Sequence, residues 1–124
     1  MNIEDFRNKL NIIKISRRFA SEEEIQQTIK TQNAIRGSNE ITIMAMEELS
    51  ELIQRLSKTL RCDTKSDYDE NRIRIIEEIA DSIMAIKAVT EVFNISNEEL
   101  KAAITVKTNR IQEKCYELMA IKQR

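Results

Sequence analysis

Apolar residues recur at helical spacing along nearly the whole chain. Ile3, Phe6, Leu10 and Ile13 stand three or four positions apart and predict a short amphipathic helix over residues 2–15. Ser21 followed by Glu24 is a capping-box pattern, in which each residue satisfies the other's backbone N–H, so a second helix is expected from Glu22. It carries Ile25 and Ile29 and runs to about Arg36, where Gly37 supplies a left-handed stop. From about Asn39 to Arg61 a long helix places Ile41, Ala45, Leu49, Leu52, Leu56 and Leu60 on one stripe. Residues 62–69, CDTKSDYD, are polar and without period, and predict the main exposed loop. Another long helix is expected over about Glu70 to Phe93, with Asn94 as its left-handed stop. Ser96 and Glu99 form a second capping box, opening a last helix from Asn97 towards the C-terminus.

Composition strengthens this reading. With no Pro and one Gly, the chain lacks the turn residues that a sheet protein needs between strands. The expected fold class is all-α, an antiparallel bundle of four to five helices, because long helices joined by short loops pack side by side. A length of 124 residues suits one domain, with N-terminal helices in residues 1–36 and the core in 38–122. A net charge of −1 creates no overall field for nucleic acid or an anionic membrane, and aromatics for base stacking are few. No apolar run approaches the length of a membrane span, and MNIEDFRNK lacks the features of a secretory signal. Cys62 and Cys115 read as two free thiols in a reducing compartment. The expected location is the cytoplasm, without nucleic-acid or membrane partners.

The sequence echoes itself once, in EELSE at 47–51 and EEIAD at 77–81, each on a long helix. A spacing of three sets Glu48 beside Glu51, and Glu78 beside Asp81, with Cβ atoms about 5–6 Å apart. Two such helices packed together can bring four carboxylates to one place. Hard cations such as Mg²⁺ take oxygen ligands of this kind, with water and substrate phosphates completing the shell. The bland alternative is ordinary acids on solvated helix surfaces. Angular position argues against it on the second of these helices. Glu77, Lys87 and Glu91 share one arc that reads as the solvent face, whereas Glu78 and Asp81 continue the flank of Ala85, Ala88 and Val92. Like charges ~5 Å apart repel by roughly 3 kcal/mol at an effective dielectric of 20, and a divalent cation relieves that cost. A third pair, Asp67 and Glu70, reads as capping material at the loop end.

On the last helix, Lys107 projects from a stripe formed by Leu100, Ala103, Ile104, Ile111, Cys115 and Leu118, and Arg110 and Lys114 extend a basic row. Such side chains either snorkel, with stems packed and heads in water, or neutralise phosphate oxygens. The chain has no His, which excludes Ser-His triads and di-iron sites built on Glu-x-x-His. It also has no Gly-rich phosphate loop, so phosphate chemistry would rest on carboxylates, metal and basic side chains.

The ordered set MEELSELIQ from Met46, EEIADSI from Glu77 and KTNR from Lys107 resembles the MazG-type all-α nucleoside triphosphate pyrophosphohydrolases, a superfamily that includes the dimeric dUTPases. The likeness covers roughly residues 38–114 and is to the short single-domain bacterial or phage members. It implies one MazG-like helical domain over 1–124, and cleavage of a nucleoside triphosphate between the α and β phosphates. It further implies Mg²⁺ held by Glu48, Glu51, Glu78 and Asp81, with Lys107 and Arg110 near the phosphates, in a homodimer or homotetramer. Without a histidine, Glu48 or Glu51 would orient or deprotonate the attacking water. Glu47 and Glu77 are expected towards solvent. Residues 1–36 match no motif, and Gln32 and Asn33 there are only guesses at base contacts. Two alternatives stand beside this reading: a non-catalytic helical interaction protein that dimerises through its long helices, and a nucleotide-binding regulator without turnover.

Overall fold

A computed structural model of the chain describes residues 1–123. It contains five α-helices: α1 (Ile3–Ser16), α2 (Glu22–Arg36), α3 (Ser38–Thr59), α4 (Lys65–Val92) and α5 (Asn97–Lys122). No strand occurs among the described residues. None of the described helices is long and apolar enough to cross a membrane. The chain divides into two compact units, Met1–Phe93 and Asn94–Arg124.

Side chains close to the helix starts account for most boundaries. Asn2 Oδ1 accepts from the N–H groups of Glu4 and Asp5 at the start of α1. Ser21 and Glu24 form a full capping box on α2, and Ser96 and Glu99 form one on α5. The Ser96 bonds also hold the Glu99 carboxyl below its ordinary value. Gly37 links α2 to α3 with φ +86° and ψ 160°, an extended conformation at positive φ that is open essentially to glycine alone. It is thus not the compact left-handed stop that the sequence suggested. Asn94 does take a left-handed turn after α4, with φ 54°.

The expected loop over 62–69 is shorter than its polarity implied, because α4 begins at Lys65. Thr64 caps it, its Oγ1 accepting from the N–H of Asp67 at 3.1 Å. A Ser/Thr three residues ahead of an acid is the start signal that the missing apolar period concealed.

In the first unit, α3 and α4 form an antiparallel hairpin, against which α2 and α1 pack. On α3 the covered seam runs Ile41, Ala45, Glu48, Leu52, Arg55, Thr59, at alternating spacings of four and three. On α4 it runs Asn71, Ile75, Glu78, Ser82, Ala85, Val89, Val92 at the same spacings. The seam therefore departs from the apolar stripe read from the sequence. Leu49, Leu56 and Leu60 are exposed, at 38%, 47% and 89%, and polar Glu48, Arg55 and Thr59 take the inner positions. The core is small: Ile29 of α2, Ile41 of α3 and Ala88 of α4 pack together, flanked by Ile25, Met44 and Val92. Burying Ile29 and Ile41 contributes about 1.5–3 kcal/mol each. Buried Asn33 ties α2 to α4, its Nδ2 donating to the Ala88 carbonyl at 3.0 Å and to the Glu91 carboxylate.

In the second unit, α5 buries no residue. Leu100, Ile104, Ile111 and Leu118 all remain exposed along it.

Candidate metal centre

The antiparallel register of α3 and α4 determines which acids meet. Glu48 lies midway along α3, and the reversed direction of α4 brings Glu78 and Asp81 opposite it. One carboxylate oxygen from each of Glu48, Glu78 and Asp81 lies within 4.8 Å of the other two. Glu51, one turn further along α3, is exposed and is not part of this trio, although its charge acts on both Glu78 and Asp81.

The electrostatics of the cluster are unrelieved. Glu48 and Glu78 are half-buried, and Oε2 of each is a buried atom with no hydrogen-bond partner among the described residues. No ion pair among the described residues engages any of the four acids. Burial raises the Glu48 carboxyl above its ordinary value, with Asp81 and then Glu51 as the next causes. Burial raises Glu78 as well, followed by the charges of Glu51 and Asp81, against a smaller opposing influence from Arg55. Asp81 is raised by burial and by Glu51, while the terminal amine acts in the other direction. Three acceptor-only groups that crowd together without donors suit a cation: it would replace the missing donors and cancel the mutual repulsion.

Glu77 departs from its expected solvent position. Its side chain is only 17% exposed, and Met1 N lies 4.0 Å from its Oε1. Glu91 stays exposed as expected, although its carboxylate accepts from the buried Asn33 Nδ2. The arc that looked like a solvent face is partly covered, at Glu77 and Lys87, because α1 and α2 both pack on α4. Periodicity within one helix does not reveal a second neighbour.

Arg55 and Asn71 were not singled out by the sequence reading. Asn71 is buried, accepting from Arg55 Nη1 at 3.1 Å and donating to Thr59 Oγ1. The available signal was polar residues at seam spacing: Asn71, Glu78 and Ser82 on α4 follow the same three-and-four step as Ile75, Ala85 and Val89. Ser82 is 3% exposed, and its hydroxyl is also without a partner among the described residues. A cavity opens beside the acids between α2, α3 and α4, and Glu48 and Asp81 contribute to its wall.

Lys107 and Arg110 belong to the second unit, where they are exposed and line a surface hollow on α5 with Lys114 and Glu117. Lys114 pairs with Glu117 at 3.7 Å. Cys62 and Cys115 are both free thiols. Comparison with protein-family models, with curated proteins and with solved structures finds no match to this chain.

Proposed function

We propose that this chain is a Mg²⁺-dependent nucleoside triphosphate pyrophosphohydrolase, cleaving between the α and β phosphates to give a nucleoside monophosphate and pyrophosphate. The observation that carries the reading is the meeting of Glu48, Glu78 and Asp81 from two helices, with two buried carboxylate oxygens left without donors. The MazG-like order of the acidic motifs and the downstream Lys107 and Arg110 agree with it. Glu48, Glu78 and Asp81, together with Glu51, would hold the ion. Bound there, Mg²⁺ supplies Lewis-acid stabilisation of the charge that develops on the phosphate oxygens.

The remaining work falls to the chain's own side chains. Glu51 is exposed and outside the tight trio, which leaves its carboxylate available to orient or deprotonate the attacking water. Glu48 is the other choice for that role. Lys107 and Arg110 would neutralise phosphate oxygens.

The same reading includes a homodimer or homotetramer in the cytoplasm. Its support is apolar surface at coiled-coil spacing: Met46, Leu49, Ile53, Leu56 and Leu60 form an exposed row along α3. A chain with only four buried hydrophobic residues among those described has little core of its own.

Pyrophosphate release from a panel of ribo- and deoxynucleoside triphosphates, with Mg²⁺ and with EDTA, tests the reading. Mg²⁺-dependent release with monophosphate as coproduct is the expected result. Silence across the panel overturns it and favours a non-catalytic interaction protein built on the same exposed rows.

A further inference from the structure

Charge is unevenly placed along the chain. From Phe6 to Ser21 stand five basic residues, Arg7, Lys9, Lys14, Arg17 and Arg18, while all 21 acidic residues lie outside this stretch. The net charge of −1 averages over that asymmetry. Arg7 and Lys9 pair with Glu4 and Asp5 at the start of α1. Lys14, Arg17 and Arg18 have no ion pair among the described residues. The same stretch carries a second apolar face. In the first unit α1 packs on α4 alone, and Ile3, Phe6 and Leu10 form its half-buried side. At 100° per residue Ile12 and Ile15 fall on the opposite side, with Lys9 on one flank and Arg7 and Lys14 on the other. Ile12, Ile15 and Phe19, the last in the linker after α1, are each more than half exposed, Ile15 at 84%. Arg17 ends α1 in a left-handed conformation, and its guanidinium lies 5.7 Å from the centre of the Phe19 ring.

We propose that the outward face of α1 and the linker after it dock on an anionic lipid surface, with Ile12, Ile15 and Phe19 entering the boundary between headgroups and acyl chains. Lys9, Lys14, Arg17 and Arg18 then meet the lipid phosphates. An interfacial helix needs both an apolar side and basic flanks, and this stretch supplies both. The long basic stems follow the apolar side chains inward while their charged heads stay at the phosphate level. The dipole of α1 accounts for cations near its last carbonyls, but not for bare isoleucines among them. A nucleic acid would use the charges and leave Ile12 and Ile15 without a role. A second copy meeting this face across a two-fold axis would set like charges against one another. The proposal is independent of the hydrolase reading above.

Co-sedimentation of the full chain with vesicles tests it, using phosphatidylcholine alone and equal parts phosphatidylcholine and phosphatidylglycerol. Binding should appear on the anionic vesicles and weaken as salt rises from about 0.1 M to about 1 M. Arg17→Gln with Arg18→Gln should weaken it about 25-fold, at about fivefold per charge. Ile12→Ser with Ile15→Ser should weaken it by at least about tenfold. Both pairs are exposed, so unchanged helix content is expected and is checked by circular dichroism. The chain has no Trp, so Ile15→Trp adds the only indole, whose emission should shift to the blue on anionic vesicles. This readout does not depend on the other variants folding. Absence of sedimentation, or equal sedimentation with both vesicles, overturns the proposal. So does sedimentation without a blue shift. Binding of duplex DNA that matches the vesicles and survives Ile12→Ser with Ile15→Ser also overturns it, and gives the face to nucleic acid.

Discussion

Two rungs of the α3–α4 seam, seven residues apart on each helix, treat buried polarity in opposite ways. At the first, Asn71 uses both ends of its carboxamide, towards Arg55 and towards Thr59, although Arg55 Nε stays without a partner. At the second, Glu48, Glu78 and Asp81 present only acceptors to one another, and two buried oxygens find no donor. The polar rung is close to self-sufficient, so a role in aligning the two helices accounts for it. The acidic rung is incomplete on its own terms, because like charges held together in partial burial work against folding. A rung that destabilises the chain by itself makes sense when something else completes it.

The largest effect should come from Glu51→Gln, beside the acidic rung. Removing a general base lowers kcat by about 10²–10⁴, read as pyrophosphate release, with helix content unchanged. Near-normal turnover would take Glu51 out of the mechanism. Next in size is the response to Mg²⁺, which at a hundredfold excess over its Kd should stabilise the fold by about 2.7 kcal/mol. Glu78→Gln should abolish that response and raise stability in EDTA, since one of the crowded charges is gone. An undiminished Mg²⁺ response in this variant would place the ion elsewhere.

At the polar rung, Asn71→Ala takes from Arg55 Nη1 its acceptor and from Thr59 Oγ1 one donor, while Thr59 keeps its bond to the Arg55 carbonyl. The expected loss is about 1–3 kcal/mol in denaturant unfolding, with the Mg²⁺ response retained. If that response disappears too, the two rungs do not act independently. The smallest effect is on pH dependence. Glu48, Glu78 and Asp81 are held above their ordinary 4.5, 4.5 and 3.8. The folded chain therefore binds protons at a pH where the unfolded chain has already released them. In EDTA the stability of the wild type should rise, relative to Glu78→Gln, as pH falls through the raised values, and level off below the ordinary ones. Mg²⁺ competes with those protons and should flatten the rise. A melting temperature without this difference between wild type and variant would remove the crowding that sets the acidic rung apart.

Much of the helix layout was legible because its signals are local. Ser21 with Glu24, and Ser96 with Glu99, are each read from four consecutive residues, and each forms the capping box expected of it. The repeated acid pairs stood out by composition and spacing, and three of their four members meet. The seam was misread for the opposite reason. Following apolar residues along α3 leads to Leu49 and Leu56, whereas the partner helix covers Glu48 and Arg55. Polar residues at inner positions look like interruptions until a neighbour supplies their partners. Glu77 was read as solvated because no pattern within α4 tells where the N-terminal helices will lie.

Local patterning alone determined that this chain is helical, where most of its helices start and stop, and which acids are spaced to act together. Capping, turn conformation and the three-residue step on one helix face depend only on residues within a turn or two of each other. Tertiary structure decided the register of α3 against α4, and with it that Glu48 faces Glu78 and Asp81 while Glu51 stands aside. It also decided that Asn71 holds an interior position, and that a cavity lies against the acids. These depend on residues that are distant in sequence, because side chains from separate helices must share one space and exclude water from it together.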